Sequence, residues 1–152
     1  MMKVLFIEDE QSKERQIFEF MNSFNSNIEI TTEKSLMSGI RKIQTEFFDL
    51  ILLDMSLPLY DLGSDIDEIN EFEAFAGIDI LEEMFRIDYS GKVIVITAFD
   101  IIEDDSKKLS LEQLDRQMKK DYPRLYEGCI HYNSSSLEWK RELEIMIMGL
   151  GE

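Results

Sequence analysis

Residues that build crosslinks and transition-metal sites are nearly absent from this sequence. Its 152 residues include one cysteine, Cys129, and one histidine, His131. A single cysteine excludes an internal disulfide, and these two residues alone exclude a zinc site made of several Cys and His ligands. A lone cysteine also fits a reducing compartment, so we expect a cytoplasmic protein.

Long apolar runs and basic residues are also scarce. No apolar run approaches the roughly 18 residues of a membrane-spanning helix, and the acids Glu8, Asp9 and Glu10 come too early for a signal peptide. Lysine and arginine total 16 against 32 acidic residues, which gives a net charge of −16. This balance argues against binding to nucleic-acid phosphates or to an anionic membrane, and it suits a cation site or a basic partner.

The sequence instead contains an alternating pattern of strands and helices. The apolar runs Lys3–Ile7, Leu50–Leu53 and Lys92–Ile96 predict strands buried on both faces, and residues 27–31 and 128–132 predict two weaker strands. Apolar residues at helical spacing follow each strand, namely Ile17, Phe20, Met21 and Phe24; Leu36, Ile40 and Ile43; Ile78, Leu81, Met84 and Phe85; Leu111, Leu114 and Met118; and Leu137, Trp139, Leu143, Met146, Ile147 and Leu150. We therefore predict one α/β domain over residues 1–152, with a parallel sheet covered by helices on both faces.

Polar residues stand where three of the predicted strands end. Glu8 and Asp9 follow the first strand, Asp54 follows the third, and Thr97 closes the fourth. Right-handed crossovers make the first and third strands neighbours, so their carboxyl ends meet at one edge of the sheet. Three converging carboxylates repel one another, and a hard divalent cation such as Mg2+ would relieve that repulsion. Taken alone, Asp54 is equally well explained as a turn or helix-capping residue.

Three motifs in this order resemble the receiver domain of two-component response regulators, a CheY-like, flavodoxin-like module. The matching segments are 4–10, 50–58 and 93–98, and Asp54 follows Asp9 by 45 positions. The resemblance implies a doubly wound sheet of five parallel strands in the order 2-1-3-4-5. It also implies a signalling module rather than an enzyme.

The resemblance assigns a role to each polar strand end. Asp54 would accept a phosphoryl group from a histidine kinase or phosphotransfer protein, and Thr97 would donate a hydrogen bond to that group. Mg2+ would be held by Asp9, Asp54 and the backbone carbonyl of Ser56, with Glu8 acting directly or through water. Such a regulator takes part in a phosphorelay and signals by contact with a downstream protein, without nucleic acid and without membrane insertion.

The end of the fifth strand departs from the family pattern. The family has a lysine there, followed by proline, whereas this chain has Tyr132 and Asn133. Losing that cation is expected to weaken phosphoryl transfer. His131 could replace the lysine only if the register of the fifth strand slips by one residue. Lys107 or Lys108 could replace it only if the loop before that strand reaches the site.

Two segments are longer than in the family, about residues 59–76 and about residues 103–124. An extra helical segment is predicted after the third strand, beginning near Asp65, because apolar residues recur there at helical spacing. These residues are Ile66, Ile69, Phe72 and Phe75. The first segment also begins a strongly acidic stretch, since residues 61–88 hold ten acids and one base. It is either a lid or docking surface beside the site, or a helix packed on the body with solvated charges.

Three functions are open at this point. The acids at positions 8, 9 and 54, together with Thr97, favour a receiver that accepts phosphate. Tyr132 and the two long segments favour a pseudo-receiver, which is the same fold used as an interaction module independently of phosphorylation. A small hydrolase using the same acids would need a further general base, and the sequence offers none.

Overall fold

The structure, a computed structural model, describes residues 1–24, 27–61 and 71–150. Strands and helices alternate along the chain, with two short antiparallel strand pairs between them. In chain order the elements are β1 (Met2–Ile7), α1 (Gln11–Phe24), β2 (Ile28–Glu33), α2 (Leu36–Thr45), β3 (Leu50–Leu53), β4 (Leu57–Pro58), β5 (Phe72–Glu73), α3 (Ala76–Arg86), β6 (Lys92–Thr97), β7 (Ile101–Glu103), β8 (Lys108–Ser110), α4 (Leu111–Asp121), β9 (Tyr126–His131) and α5 (Glu138–Leu150).

Five of these strands form one parallel sheet in the order β2-β1-β3-β6-β9. Counted among themselves they are strands 2-1-3-4-5, so the predicted topology is confirmed. Leu53 at the end of β3 is paired with Ile7 on one side and with Val95 on the other. The carboxyl ends of β1, β3 and β6 therefore meet at one edge of the sheet.

Both faces of the sheet are buried, because alternate side chains pack under different helices. Leu5 and Ile51 belong to a core shared with α2, α3 and α4, whereas Phe6 and Leu52 belong to a core shared with α1 and α5. This arrangement explains the unbroken apolar runs, since every position of β3 is a core position. Within the described residues, no helix is both long and apolar enough to cross a membrane.

The helices lie where the apolar spacing predicts them, with two exceptions in the core. Leu137 precedes α5 by one residue and is exposed. Ile17 and Met21 of α1 are fully buried, as expected. Phe85 of α3 is exposed instead of buried, because the buried stripe of α3 runs through Met84 and leaves Phe85 beside it. The Phe85 ring packs edge-on against Tyr122.

The extra helical segment predicted after β3 does not extend over residues 71–75. There, β5 pairs antiparallel with β4, and α3 begins only at Ala76. The Ser56 hydroxyl donates to the Ala74 carbonyl at 2.7 Å, so this backbone is engaged by the β4 segment rather than by a helix. Phe72 is exposed and Phe75 is buried, so they share no helix face. The remaining residues of this prediction, Asp65, Ile66 and Ile69, lie outside the described residues.

The second long segment contains a hairpin that the sequence analysis did not predict. β7 and β8 pair antiparallel, and the Asp104 carboxylate closes their turn by accepting from the backbone N–H groups of Ser106 and Lys107. Ser110 and Gln113 then form a capping box that starts α4. The segment is therefore built into the body beside the carboxyl end of β6.

Candidate functional site

Asp54 lies at the centre of the site because β3 ends between β1 and β6. Its backbone N–H donates to the Ile7 carbonyl at 3.2 Å, which extends the β1–β3 pairing by one residue. The side chain is buried, and its two oxygens have different surroundings. Oδ2 is bonded to an ammonium group, whereas Oδ1 has no hydrogen-bond partner within the described residues.

The cation at Asp54 is Lys13, which the sequence analysis did not single out. Its Nζ lies 2.9 Å from Asp54 Oδ2 and 2.7 Å from Glu8 Oε1. The same Nζ donates to the backbone carbonyl of Ile96 at 2.7 Å. One ammonium group therefore joins the ends of β1, β3 and β6, through two hydrogen bonds and an ion pair with Glu8.

This charged cluster is almost completely removed from solvent. Lys13 is 3% exposed, Glu8 1% and Asp54 6%. Burial raises the pKa of Glu8 to about 7, with the Asp54 carboxylate adding to the shift and Lys13 opposing it. Burial alone would lower the pKa of Lys13, but the Asp54 and Glu8 carboxylates outweigh it and raise that pKa. Lys13 is therefore a cation at neutral pH, and the site carries its own positive charge.

The start of α1 places Lys13. The Glu10 carboxylate accepts from the backbone N–H groups of Ser12 at 3.0 Å and Lys13 at 2.8 Å, which caps the first turn. The Glu10 N–H in turn donates to Glu8 Oε2 at 3.1 Å. A lysine in the first turn opposes the helix dipole, so the two carboxylates, rather than helix stability, account for its position.

The other predicted site residues lie around this cluster. Asp9 is exposed, yet partial burial of its carboxyl group raises its pKa, and the nearby Asp54 carboxylate adds to the shift. Thr97 is fully buried, and its hydroxyl oxygen accepts from the Phe99 N–H at 3.3 Å. Ser56 is buried two residues beyond Asp54.

The predicted meeting of three carboxylates is realised only in part. Glu8 is paired with Lys13, and the described residues contain no group of three or more His, Cys, Asp or Glu side chains arranged to hold a metal. Mg2+ needs only one or two carboxylates, completed by a carbonyl and waters. Asp9, the unpartnered Oδ1 of Asp54 and the carbonyl of Ser56 supply such a set, so the residues present fit this ion.

Tyr132, which the resemblance matches to the family's lysine, stands beside the site. Its backbone N–H donates to the Thr97 carbonyl at 2.8 Å, and its ring centroid is 5.7 Å from Lys13 Nζ. Its hydroxyl donates to Gln16 Oε1. The end of β9 therefore contributes an aromatic ring to the site in place of a cation.

The other basic side chains considered for this position do not reach it. His131 is exposed, and its Nε2 lies 3.1 Å from Asp100 Oδ1. The Nζ of Lys107 lies 4.4 Å from the ring centroid of Phe75. Lys108 is exposed in β8.

One signal in the sequence identifies Lys13. It precedes Ile17 by four positions and Met21 by eight, so it lies on the buried stripe of α1. A lysine on the apolar side of an amphipathic helix needs a buried partner. The carboxylates that follow β1 and β3 are those partners.

The chain is similar to two known proteins over nearly its whole length, and no family model matches it. Uncharacterized protein y4jR of Sinorhizobium fredii is 26% identical over 143 residues, which is 94% of this chain and 95% of that protein. Detocs response regulatory protein DtcB of Enterobacter cloacae is 24% identical over 143 residues, 93% of this chain and 95% of that protein.

Solved structures of receiver domains share this fold. A CheY-like response regulator receiver domain protein from Methanospirillum hungatei superposes with a TM-score of 0.64 at 18% identity. The superposition covers 99% of this chain and 94% of that protein's chain. Response regulator protein TrrA of Thermotoga maritima, solved in complex with Mg2+-BeF, superposes with a TM-score of 0.60 at 16% identity. The superposition covers 96% of this chain and 99% of the TrrA chain. The predicted resemblance to receiver domains is thus confirmed, and the fold is the flavodoxin-like receiver fold.

Proposed function

We propose that this receiver-fold chain is a two-component response regulator that accepts a phosphoryl group on Asp54. One observation carries the proposal, namely a buried carboxylate at a strand end with one oxygen held by an ammonium and the other unpartnered. The likeness to a response regulatory protein and to solved receiver domains supports the same role.

The chemical step is transfer from a phosphohistidine on a histidine kinase or phosphotransfer protein. An oxygen of Asp54 bonds to phosphorus as the P–N bond breaks, and the departing imidazole nitrogen takes a proton from solvent. Catalysis of this step is mainly charge stabilisation at the phosphoryl oxygens. Lys13 supplies positive charge, and Thr97 supplies a hydroxyl hydrogen that has no acceptor among the described residues.

Asp9, Asp54 and the backbone carbonyl of Ser56 are the residues that would hold Mg2+. When bound, the ion neutralises charge on the phosphoryl oxygens. Both oxygens of Glu8 are already engaged, one by Lys13 and the other by the Glu10 N–H. Glu8 therefore positions Lys13 and would reach the metal only through water.

Intact-mass measurement after incubation with acetyl phosphate and Mg2+ tests this proposal. We expect the wild-type chain to gain one phosphoryl group and Asp54→Ala to gain none. Asp121→Ala is the matched control, because Asp121 is exposed at the end of α4, and it should gain mass as the wild type does. A wild type that gains nothing, or an Asp54→Ala variant that still gains mass, contradicts the proposal.

A pseudo-receiver is the second candidate, and one observation favours it. Lys13 already pairs with both buried carboxylates, so the site has a counter-charge without a phosphoryl group or a metal. In that role the chain binds its downstream protein identically with and without Asp54. Absence of both phosphorylation and Mg2+ binding in the wild type selects this candidate.

A further inference from the structure

We infer that Lys13 takes over the task of the cation missing from the end of β9, and that it contacts the phosphoryl group from α1 instead of from the last strand. The inference rests on the proposed function of Asp54. It makes Lys13 a catalytic residue of this chain, in a position where the family motifs place no lysine.

The first support is that Lys13 is fixed before any ligand arrives. Its Nζ is held by Asp54 Oδ2, Glu8 Oε1 and the Ile96 carbonyl, all within 2.9 Å. These three oxygens lie at the carboxyl ends of three neighbouring strands. A cation held in this way needs no reorganisation when negative charge develops on a group bonded to Asp54.

The second support is that the two oxygens of the Asp54 carboxylate have different partners. Lys13 is bound to Oδ2, while Oδ1 has no partner within the described residues. The ion pairs of Lys13 are with Glu8 and Asp54, and Asp9 is not among them. Lys13 therefore leaves free the acids that fit Mg2+. It substitutes for the missing lysine rather than for the metal.

The third support is the residue that replaced the lysine. The Tyr132 ring centroid lies 5.7 Å from Lys13 Nζ, within the range of a cation–π contact. The Tyr132 hydroxyl donates to Gln16, which lies three residues beyond Lys13 on α1. The end of β9 thus contacts the relocated ammonium and the helix that carries it.

Moving the lysine back to β9 tests the inference. Phosphorylation by acetyl phosphate with Mg2+ would be timed by intact mass for the wild type, Lys13→Met, the double variant Lys13→Met/Tyr132→Lys, and Lys119→Met. We expect Lys13→Met to be slower by on the order of 100-fold, since a preorganised charge is lost. The double variant should recover at least about tenfold of that rate, since one cation is restored. Lys119→Met, which removes a lysine that is 57% exposed, should match the wild type.

The outcomes separate this inference from the proposed function. A folded Lys13→Met with an unchanged rate overturns the inference and leaves phosphorylation of Asp54 standing. A wild type that never gains mass overturns both. If Lys13→Met does not fold, the double variant decides. A folded double variant that is phosphorylated supports the inference, and a folded but inert one overturns it.

Mg2+ binding without a phosphodonor gives a second readout. Isothermal titration calorimetry should show that the wild type and Lys13→Met both bind Mg2+, because Lys13 and the metal use different oxygens of Asp54. Binding by Lys13→Met alone would mean that the lysine occupies the place of the metal, and this would overturn the inference. Failure of both proteins to bind would also overturn it.

Discussion

The two corners that flank Asp54 use different kinds of side chain. The β1–α1 corner is charged, with Glu8 and Lys13 buried and Glu10 capping the helix between them. The β6–β9 corner is uncharged at its buried positions, with the Thr97 hydroxyl and the Tyr132 ring. The charge balance of this strand-end site is therefore a property of the whole cluster, and its cation comes from a helix, α1.

The largest expected effect comes from removing the cation of the charged corner. Lys13→Met should lower the free energy of unfolding at pH 8 by about 3–5 kcal/mol, because it leaves two buried carboxylates unpaired. Urea unfolding followed by the fluorescence of Trp139, the single tryptophan, measures this. Lys119→Met breaks an exposed pair with Asp115 and should cost less than about 1 kcal/mol. Equal losses in the two variants would mean that the corner is not a buried ion cluster.

The second effect is a pH dependence that originates at Glu8. The pKa of Glu8 in the folded protein is about 7 against an ordinary 4.5, so the folded form keeps a proton that the unfolded chain releases. The wild type should therefore lose stability as the pH rises from about 4.5 to about 7. Glu8→Gln should remove on the order of 1–3 kcal/mol of this loss in metal-free buffer. The matched control is Glu112→Gln, in which the replaced side chain is exposed. Parallel pH profiles for the wild type and Glu8→Gln would refute the assignment.

A smaller effect is expected at the uncharged corner. Tyr132→Phe keeps the ring over Lys13 but removes the hydrogen bond to Gln16, which should cost about 1 kcal/mol of stability. Its phosphorylation rate should stay within about twofold of the wild type, because the cation is retained. A double-mutant cycle with Gln16→Met isolates the bond, and a coupling energy near zero would show that it contributes nothing.

The smallest effect is expected at His131. It pairs with Asp100 in solvent, so His131→Ala should change the free energy of unfolding by no more than about 0.5 kcal/mol. Its rate of phosphorylation should equal that of the wild type. A loss of phosphorylation rate comparable to that of Lys13→Met would instead place His131 in the site, and the cation of the site would then come from β9.

The sheet was predictable from the sequence because its signal is local. Runs such as Leu50–Leu53 are apolar at every position, since each side chain is core on one face or the other. Asp54 was predictable for the same reason, as the first charged residue after such a run. The prediction of a helix over residues 71–75 failed, because helical spacing of apolar residues there competes with strand pairing to a distant segment. Phe72 pairs with Pro58 across the first long segment.

Lys13 shows why the rest of the site was not predicted. Its burial depends on Asp54, 41 residues away in sequence, and on the Ile96 carbonyl, 83 residues away. A short stretch of sequence around Lys13 therefore does not contain these two partners. Its place on the stripe of Ile17 and Met21 was the only local sign that it faces the core.

A crystal structure of the chain with Mg2+ and beryllofluoride would show which oxygen of Asp54 Lys13 contacts and which oxygen the metal contacts. We predict that Lys13 remains within hydrogen-bonding distance of Asp54 or its bound fluoride, while the metal contacts Asp9. A metal bound between Glu8 and Asp54, with the Lys13 side chain displaced into solvent, would contradict the account.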